Sequence, residues 1–238
     1  MIIQKFPSIK SNNPFPASEM LLRLNRIKQN WLPLFQQAAI VCNLPLALLV
    51  AKSCVESGGN QKTSNNTYVG LMQIGKSTIA DCLNYLQGNM YADGKRWTAS
   101  PELSNKIVPI VQHYFPSFSI NSGTINVDAA FSLAKSDSPS GAAFNVLMGS
   151  LYLHILCSNP KFIEGNTIRL DKVMSAYNTG PNLAFYKTAT SDTAQLVQVI
   201  RSSKLSIGKK QETSAHILKF CGIGGAFDLL FNKKFSLN

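Results

Sequence analysis

The chain is short of charge and shorter still of acid. Only 15% of its 238 residues are charged, and 12 Asp and Glu stand against 23 Lys and Arg. With 45% hydrophobic residues, that balance excludes a disordered chain and leaves enough apolar side chain for a sizeable core. Long apolar runs are missing too. The longest, residues 44–51, falls far below the ~20 residues of a membrane helix, so no membrane span is expected. The start, "MIIQKFPSIKSNNPFP", lacks the basic, apolar and small-residue zones of a secretory signal, so no signal peptide is expected. Cysteines number five (Cys42, Cys54, Cys82, Cys157, Cys221), with no CxxC pair and no His/Cys cluster. This argues against a structural zinc site and for reduced, mostly buried thiols; no metal or cofactor is expected. No period of 20–50 residues repeats. Strand signals are weak, which leaves a mainly α class.

The net charge is +11, and the basic residues are unevenly spread. From Lys187 onward eight Lys and Arg face only Asp192, Glu212 and Asp228. Such a surface suits a polyanion such as nucleic acid, an anionic membrane or a cell-wall polymer, or it simply aids solubility. No helix-turn-helix, RNP or zinc signature is present, and aromatics are not interleaved with the basic residues. A specific nucleic-acid partner is therefore not expected.

Along the chain, residues 1–17 read as an extended Pro/Asn/Ser-rich arm. Ser18 reads as an N-cap, with Met20, Leu21, Leu24, Ile27 and Trp31 at helical spacing and Pro33 as a break or restart. Asn43 reads as a second N-cap, followed by a helix apolar nearly all round that Gly58 and Gly59 end. A polar loop follows, and helix resumes after Gly75. Residues 82–143 carry scattered Pro and Gly and read as an insert of short helices and loops. "GAAFNVLMGSLYLHILCS" and "TIRLDKVMSAYN" are further helices. The tail holds one near residues 194–201 and a glycine-interrupted one in "AHILKFCGIGGAFDLLF". The expected organisation is an arm at 1–17, one domain over 18–187, and a basic helical extension over 188–238 packed on it.

One carboxylate stands out. Glu56 closes the apolar helix in "VAKSCVESGG". Desolvation and the negative end of the helix dipole both disfavour its anion, so both raise its pKa toward that of a general acid. The plainer alternative is a glutamate topping a helix in solvent.

Three separated segments then fall in order. They are Glu56-Ser57-Gly58 with Gly70-Leu71-Met72-Gln73-Ile74, then Asn145-x-x-x-Gly149-x-x-Tyr152-Leu153, and last Ala176-Tyr177-Asn178-Thr179-Gly180-Pro181. Together they resemble the lytic transglycosylases of the soluble-lytic (SLT) type, within the lysozyme-like superfamily. The resemblance covers roughly residues 40–80 and 140–187. It departs from the family at Gly75-Lys76, where "MP" is usual, and at "AYNTG", where "AYNAG" is usual.

The resemblance implies a goose-type lysozyme-like helical fold and cleavage of the β-1,4 bond between N-acetylmuramic acid and N-acetylglucosamine in peptidoglycan. Glu56 would act as acid on the leaving oxygen and then as base on the muramoyl 6-hydroxyl, giving a 1,6-anhydro end. By the same resemblance Ser57 would orient the sugar or the carboxyl, Gln73 and the backbone of Met72 would line the glycan groove, and Tyr177 would hydrogen-bond Glu56. Asn178 would contact N-acetyl groups or cap its helix. Asn145, Gly149 and Tyr152 read as structural. Met72 and Tyr177 read equally as core, and Ser57 as a polar C-cap.

A two-carboxylate glycosidase needs a second acid. Glu19, Glu102, Glu164 and Glu212 lie outside the motif segments, and the polar faces of helices account for Asp81 and Asp171. That favours the single-acid scheme, although the insert offers Asp93 or Glu102. The alternatives are a lysozyme-type muramidase and a non-catalytic, glycan-binding component of a virion or secretion machine. A wall-cutting activity without a leader fits a bacteriophage protein, either an endolysin or a virion-associated enzyme. The partners expected are glycan strands and virion or envelope-machine proteins that bind the insert or tail.

Overall fold

The computed structural model describes residues 9–12, 15–92, 95–121, 126–232 and 234–237. Among them the chain is mainly helical, with strands only in two-stranded pairs. The helices are α1 (Ala17–Val41), α2 (Leu46–Glu56), α3 (Lys76–Leu86), α4 (Pro101–Tyr114), α5 (Val127–Lys135), α6 (Pro139–Cys157), α7 (Leu170–Thr179), α8 (Thr193–Ser202), α9 (Ile207–Cys221) and α10 (Ala226–Phe231). The strands are β1 (Ile9–Asn12), β2 (Met90–Ala92), β3 (Lys95–Trp97), β4 (Ile163–Glu164), β5 (Thr167–Ile168) and β6 (Gly222–Ile223). β1 pairs with β6 in parallel; the other two pairs are antiparallel hairpins.

Local chemistry sets many of the helix starts. Ser100, Asn126, Ser138, Asp192 and Ser206 each accept a backbone N–H from the first turn with their side chains. Pro101 and Pro139 follow two of these caps, where the missing N–H costs nothing.

α6 is the axis of the core. It packs against α1, α3, α5 and α7. By length and composition it is apolar enough to cross a membrane, but 83% of its most apolar window is buried inside the protein. A run count misses this helix because Asn145, Gly149 and Ser150 interrupt it, and all three are buried. All five cysteines are free and buried. Burial pushes the thiols of Cys42, Cys54 and Cys157 up to about 12.

Several sequence expectations shift. α1 runs unbroken through Pro33, and it starts at Ala17 behind Pro16 rather than behind Ser18. Ile27, Phe35 and Ala38 are buried on both sides of the proline, and Trp31 Nε1 donates to Gly59 O at 2.9 Å, so packing holds the turns in line. Asn43 caps nothing. It sits in the link before α2 with φ +51°, a left-handed conformation that Asn tolerates, and Pro45 precedes the helix. α4, at 14 residues, is longer than the short helices expected in the insert.

Asp171 is not on a polar face. It is fully buried and takes Arg169 Nε and Nη2 at 3.0 and 2.8 Å. Arg169 Nη1 reaches Glu164 Oε2 at 2.9 Å and Thr190 O at 2.6 Å, and Lys172 Nζ reaches Glu164 Oε1 at 2.9 Å. This network ties the β4–β5 hairpin to the start of α7 and so fixes where the far end of α7 points.

Candidate active site

α2 is the rigid support. Every residue from Leu48 to Val55 is buried, and Glu56 is the last helical residue, its side chain 13% exposed. The helix's unpaired carbonyls gather at this end. Burial raises the Glu56 carboxyl above the ordinary range; Lys52 opposes that rise, while the like charge of Glu212 adds to it.

Lys52 lies one turn earlier on the same face and is fully buried. Its Nζ donates to Glu56 Oε1, lies 2.7 Å from His216 Nε2, and stands 3.7 Å above the centre of the Tyr177 ring. Burial lowers the Lys52 ammonium pKa against the pull of Glu56. His216, on α9, has its Nε2 3.6 Å from Glu56 Oε1. Burial first, then the cations Lys52, Lys219 and Lys209, hold the imidazole well below its usual value and so keep it neutral.

The turn from Gly70 to Ile74 faces Glu56 and is built by close approach. Gly70 has φ +76°, and a Cβ there would lie 2.3 Å from Asn145 Nδ2. Asn145 is fully buried; it accepts from Met72 N at 2.9 Å and donates to Val69 O at 2.8 Å. A Cβ at Gly149 would come within 2.4 Å of Met72 Cβ. Gln73 takes φ +47°, a costly backbone for a side-chain-bearing residue, and its amide donates to Thr63 O and Gly70 O, each at 2.8 Å.

A pocket of about 70 Å³ brings the segments together. Glu56, Gln73, Tyr177 and Asn178 line it, with Asn65, Tyr68 and Glu212. Four of the six residues singled out from sequence therefore meet there. Met72 does not line it. It is fully buried, with its backbone clasped by Asn145 and by the Tyr177 hydroxyl, which donates to Met72 O at 2.9 Å. Tyr177 thus binds the turn rather than the Glu56 carboxyl. Ser57 also turns inward, donating to Leu71 O at 2.8 Å and accepting from Gly59 N at 3.2 Å. Asn178 commits its amide to α9, donating to Glu212 Oε1 at 2.8 Å and accepting from Thr213 Oγ1 at 2.8 Å.

Sequence reasoning missed Lys52 and His216 and set Glu212 aside. One signal for Lys52 was present. A lone lysine in an apolar helix needs an anion, and Glu56 stands four residues on. Asp93 lies outside the described residues, and Glu102 forms an exposed pair with Lys106 away from the pocket. Among the described residues no three His, Cys, Asp or Glu cluster as metal ligands. A larger groove of about 610 Å³ between α8 and α9 is lined by Arg201 and Lys210 but by no carboxylate. A space of 70 Å³ is well below the several hundred Å³ that enclose a whole small ligand, so the pocket has room only for the edge of one.

A mainly helical protein thus carries a semi-buried glutamate in a polar pocket. The chain matches no protein-family model and no curated protein.

Proposed function

We propose that the protein is a peptidoglycan lytic transglycosylase with a lysozyme-like fold, in which Glu56 is the catalytic acid and base. The observation that carries this reading is the convergence of Glu56, Gln73, Tyr177 and Asn178, from separated segments, on one pocket. The carboxyl's raised pKa suits it to hold a proton near neutrality. Glu56 donates that proton to the glycosidic oxygen as the C1–O bond breaks. The resulting carboxylate takes the proton of the muramoyl 6-hydroxyl as O6 closes on C1, and the carboxyl is restored. The net charge of +11 suits an anionic envelope.

A specific observation favours a second reading. Glu212 shares the pocket and supplies a second carboxylate for muramidase-type hydrolysis, with water in place of the 6-hydroxyl.

The test is clearing of purified cell-wall sacculi. Glu56→Gln is expected to lower the rate by about 100-fold or more while the far-UV circular dichroism stays unchanged. An equally active variant sinks both readings, and binding without turnover by the wild type would leave a glycan-gripping module. Mass spectrometry of the products separates 1,6-anhydro ends from reducing ends. Immunodetection in purified phage particles separates a virion component from an endolysin.

A further inference from the structure

We propose that Lys52 and Glu56 form one proton-sharing unit, fixed in place by His216, in which Lys52 stores the proton that Glu56 delivers to substrate. This rests on the reading of Glu56 as the acid and base.

The geometry around Nζ carries the inference. An amino group with no access to solvent faces an acceptor in each direction named here: Glu56 Oε1, His216 Nε2 at 2.7 Å and the Tyr177 ring at 3.7 Å. An imidazole that accepts at Nε2 carries its proton on Nδ1 and is neutral. One proton can therefore sit on Nζ, with the carboxylate accepting, or on Oε1, with Nζ accepting. Neither arrangement breaks a hydrogen bond or changes the charge of the unit. Burial penalises the separated ions, lowering the amine and raising the carboxyl, so that both seats are open to the proton.

A fixed cation at this position would oppose catalysis. It would depress the acid's pKa and repel the positive charge that develops on the sugar. A shared proton avoids both effects. The carboxylic acid protonates the leaving oxygen, and the unit becomes a neutral amine beside a carboxylate. It is then anionic only while the sugar is cationic. The 6-hydroxyl proton returns to Oε1, and from there to Nζ, so no outside proton is consumed.

Other charged groups set the background. On α9 these are Glu212, Lys209 and Lys219; on α7 the phenol of Tyr177; in the loop, Tyr68. On α1, Arg23 pairs with Glu19, Arg26 binds Gly58 O and Lys28 binds Ser236 O. On α10, Asp228 is held by Lys234. None of these is hydrogen-bonded to Lys52 Nζ.

The experiment has two arms. In the first, kcat/KM on sacculi is measured against pH for the wild type and Lys52→Met. A lone buried carboxyl loses its proton at lower pH than a pair that offers that proton two seats. The alkaline limb is therefore expected to fall by about one pH unit or more in Lys52→Met. In the second, lysine 13Cε resonances are titrated in the wild type and in Glu56→Gln. Lys52 is assigned by its nuclear Overhauser contact to the Tyr177 ring. Its titration is expected to move to lower pH by about one unit or more without the carboxylate. This arm needs neither turnover nor a folded Lys52→Met. An unmoved alkaline limb in a folded Lys52→Met, or an unmoved Lys52 titration, overturns the proton sharing. If Glu56→Gln is inactive meanwhile, the catalytic reading stands. A fully active Glu56→Gln overturns that reading instead.

Discussion

Two buried charge clusters stand out among the described residues, and they work in opposite ways. Around Arg169 the charges are locked. Burial opposes ionisation of Glu164, but hydrogen bonds from Lys172 and Arg169 hold its carboxyl below the ordinary value. The Arg169 guanidinium is pushed up in turn, with Asp171 its strongest partner against burial. Around Lys52 the directions reverse. The carboxyl rises, the amine falls, and the imidazole stays neutral. The difference lies in the partners. A guanidinium cannot lose its proton at any ordinary pH, so Asp171 and Glu164 have a permanent cation to accept from. A lysine can lose its proton, so Glu56 has a partner that trades one. The first cluster suits a joint that must not move, and the second suits chemistry.

The comparison can be broken by substitution. Arg169→Met leaves Asp171 buried without its cation and is expected to cost about 3–5 kcal/mol, read from urea unfolding. Lys52→Met is expected to cost less than a third of that, because Glu56 can neutralise itself by keeping a proton. Equal losses would make the Lys52 cluster another locked ion pair. Gly149→Ala should fall between them, at about 1–3 kcal/mol, as its Cβ meets Met72 Cβ 2.4 Å away. It should also slow wall clearing, since the Gly70–Ile74 turn must shift; unaltered activity with normal stability would show that the turn tolerates displacement. The smallest effect concerns pH. The Glu164 value is depressed in the folded protein, so its contribution is present above the ordinary carboxyl pKa and is lost as pH falls through the folded value. Glu164→Gln should flatten that acid decline in the urea midpoint, and only slightly, because the side chain is 45% exposed.

What was legible in the sequence followed the range of the interaction. The apolar helix ending at Glu56, the Gly70 turn and the end of α7 are each set by residues close in the chain, so their patterns mark them. The pocket's other wall is not local. His216 reaches Lys52 across 164 positions, and nothing in "AHILKF" announces that its histidine faces inward. Tyr177 was placed near the right residues but on the wrong acceptor. A phenol beside both a carboxyl and a free backbone carbonyl can satisfy either, and only the packing of the Gly70 turn against Gly149 brings Met72 O within reach. Pro33 and Asn43 misled because tertiary contacts overrode local propensity.

The β1–β6 pairing joins residues 9–12 to residues 222–223 beside α9, the helix that brings His216 and Glu212 to the pocket. This has a consequence for timing during synthesis. Translation delivers Glu56 well before α9, so the wall opposite it does not exist until the ribosome has released residue 221 or so, and β1 waits until then for its partner β6. A nascent chain that has not reached α9 therefore carries Lys52 and Glu56 without His216 and Glu212. The proposed catalytic pocket is whole only once α9 has been made.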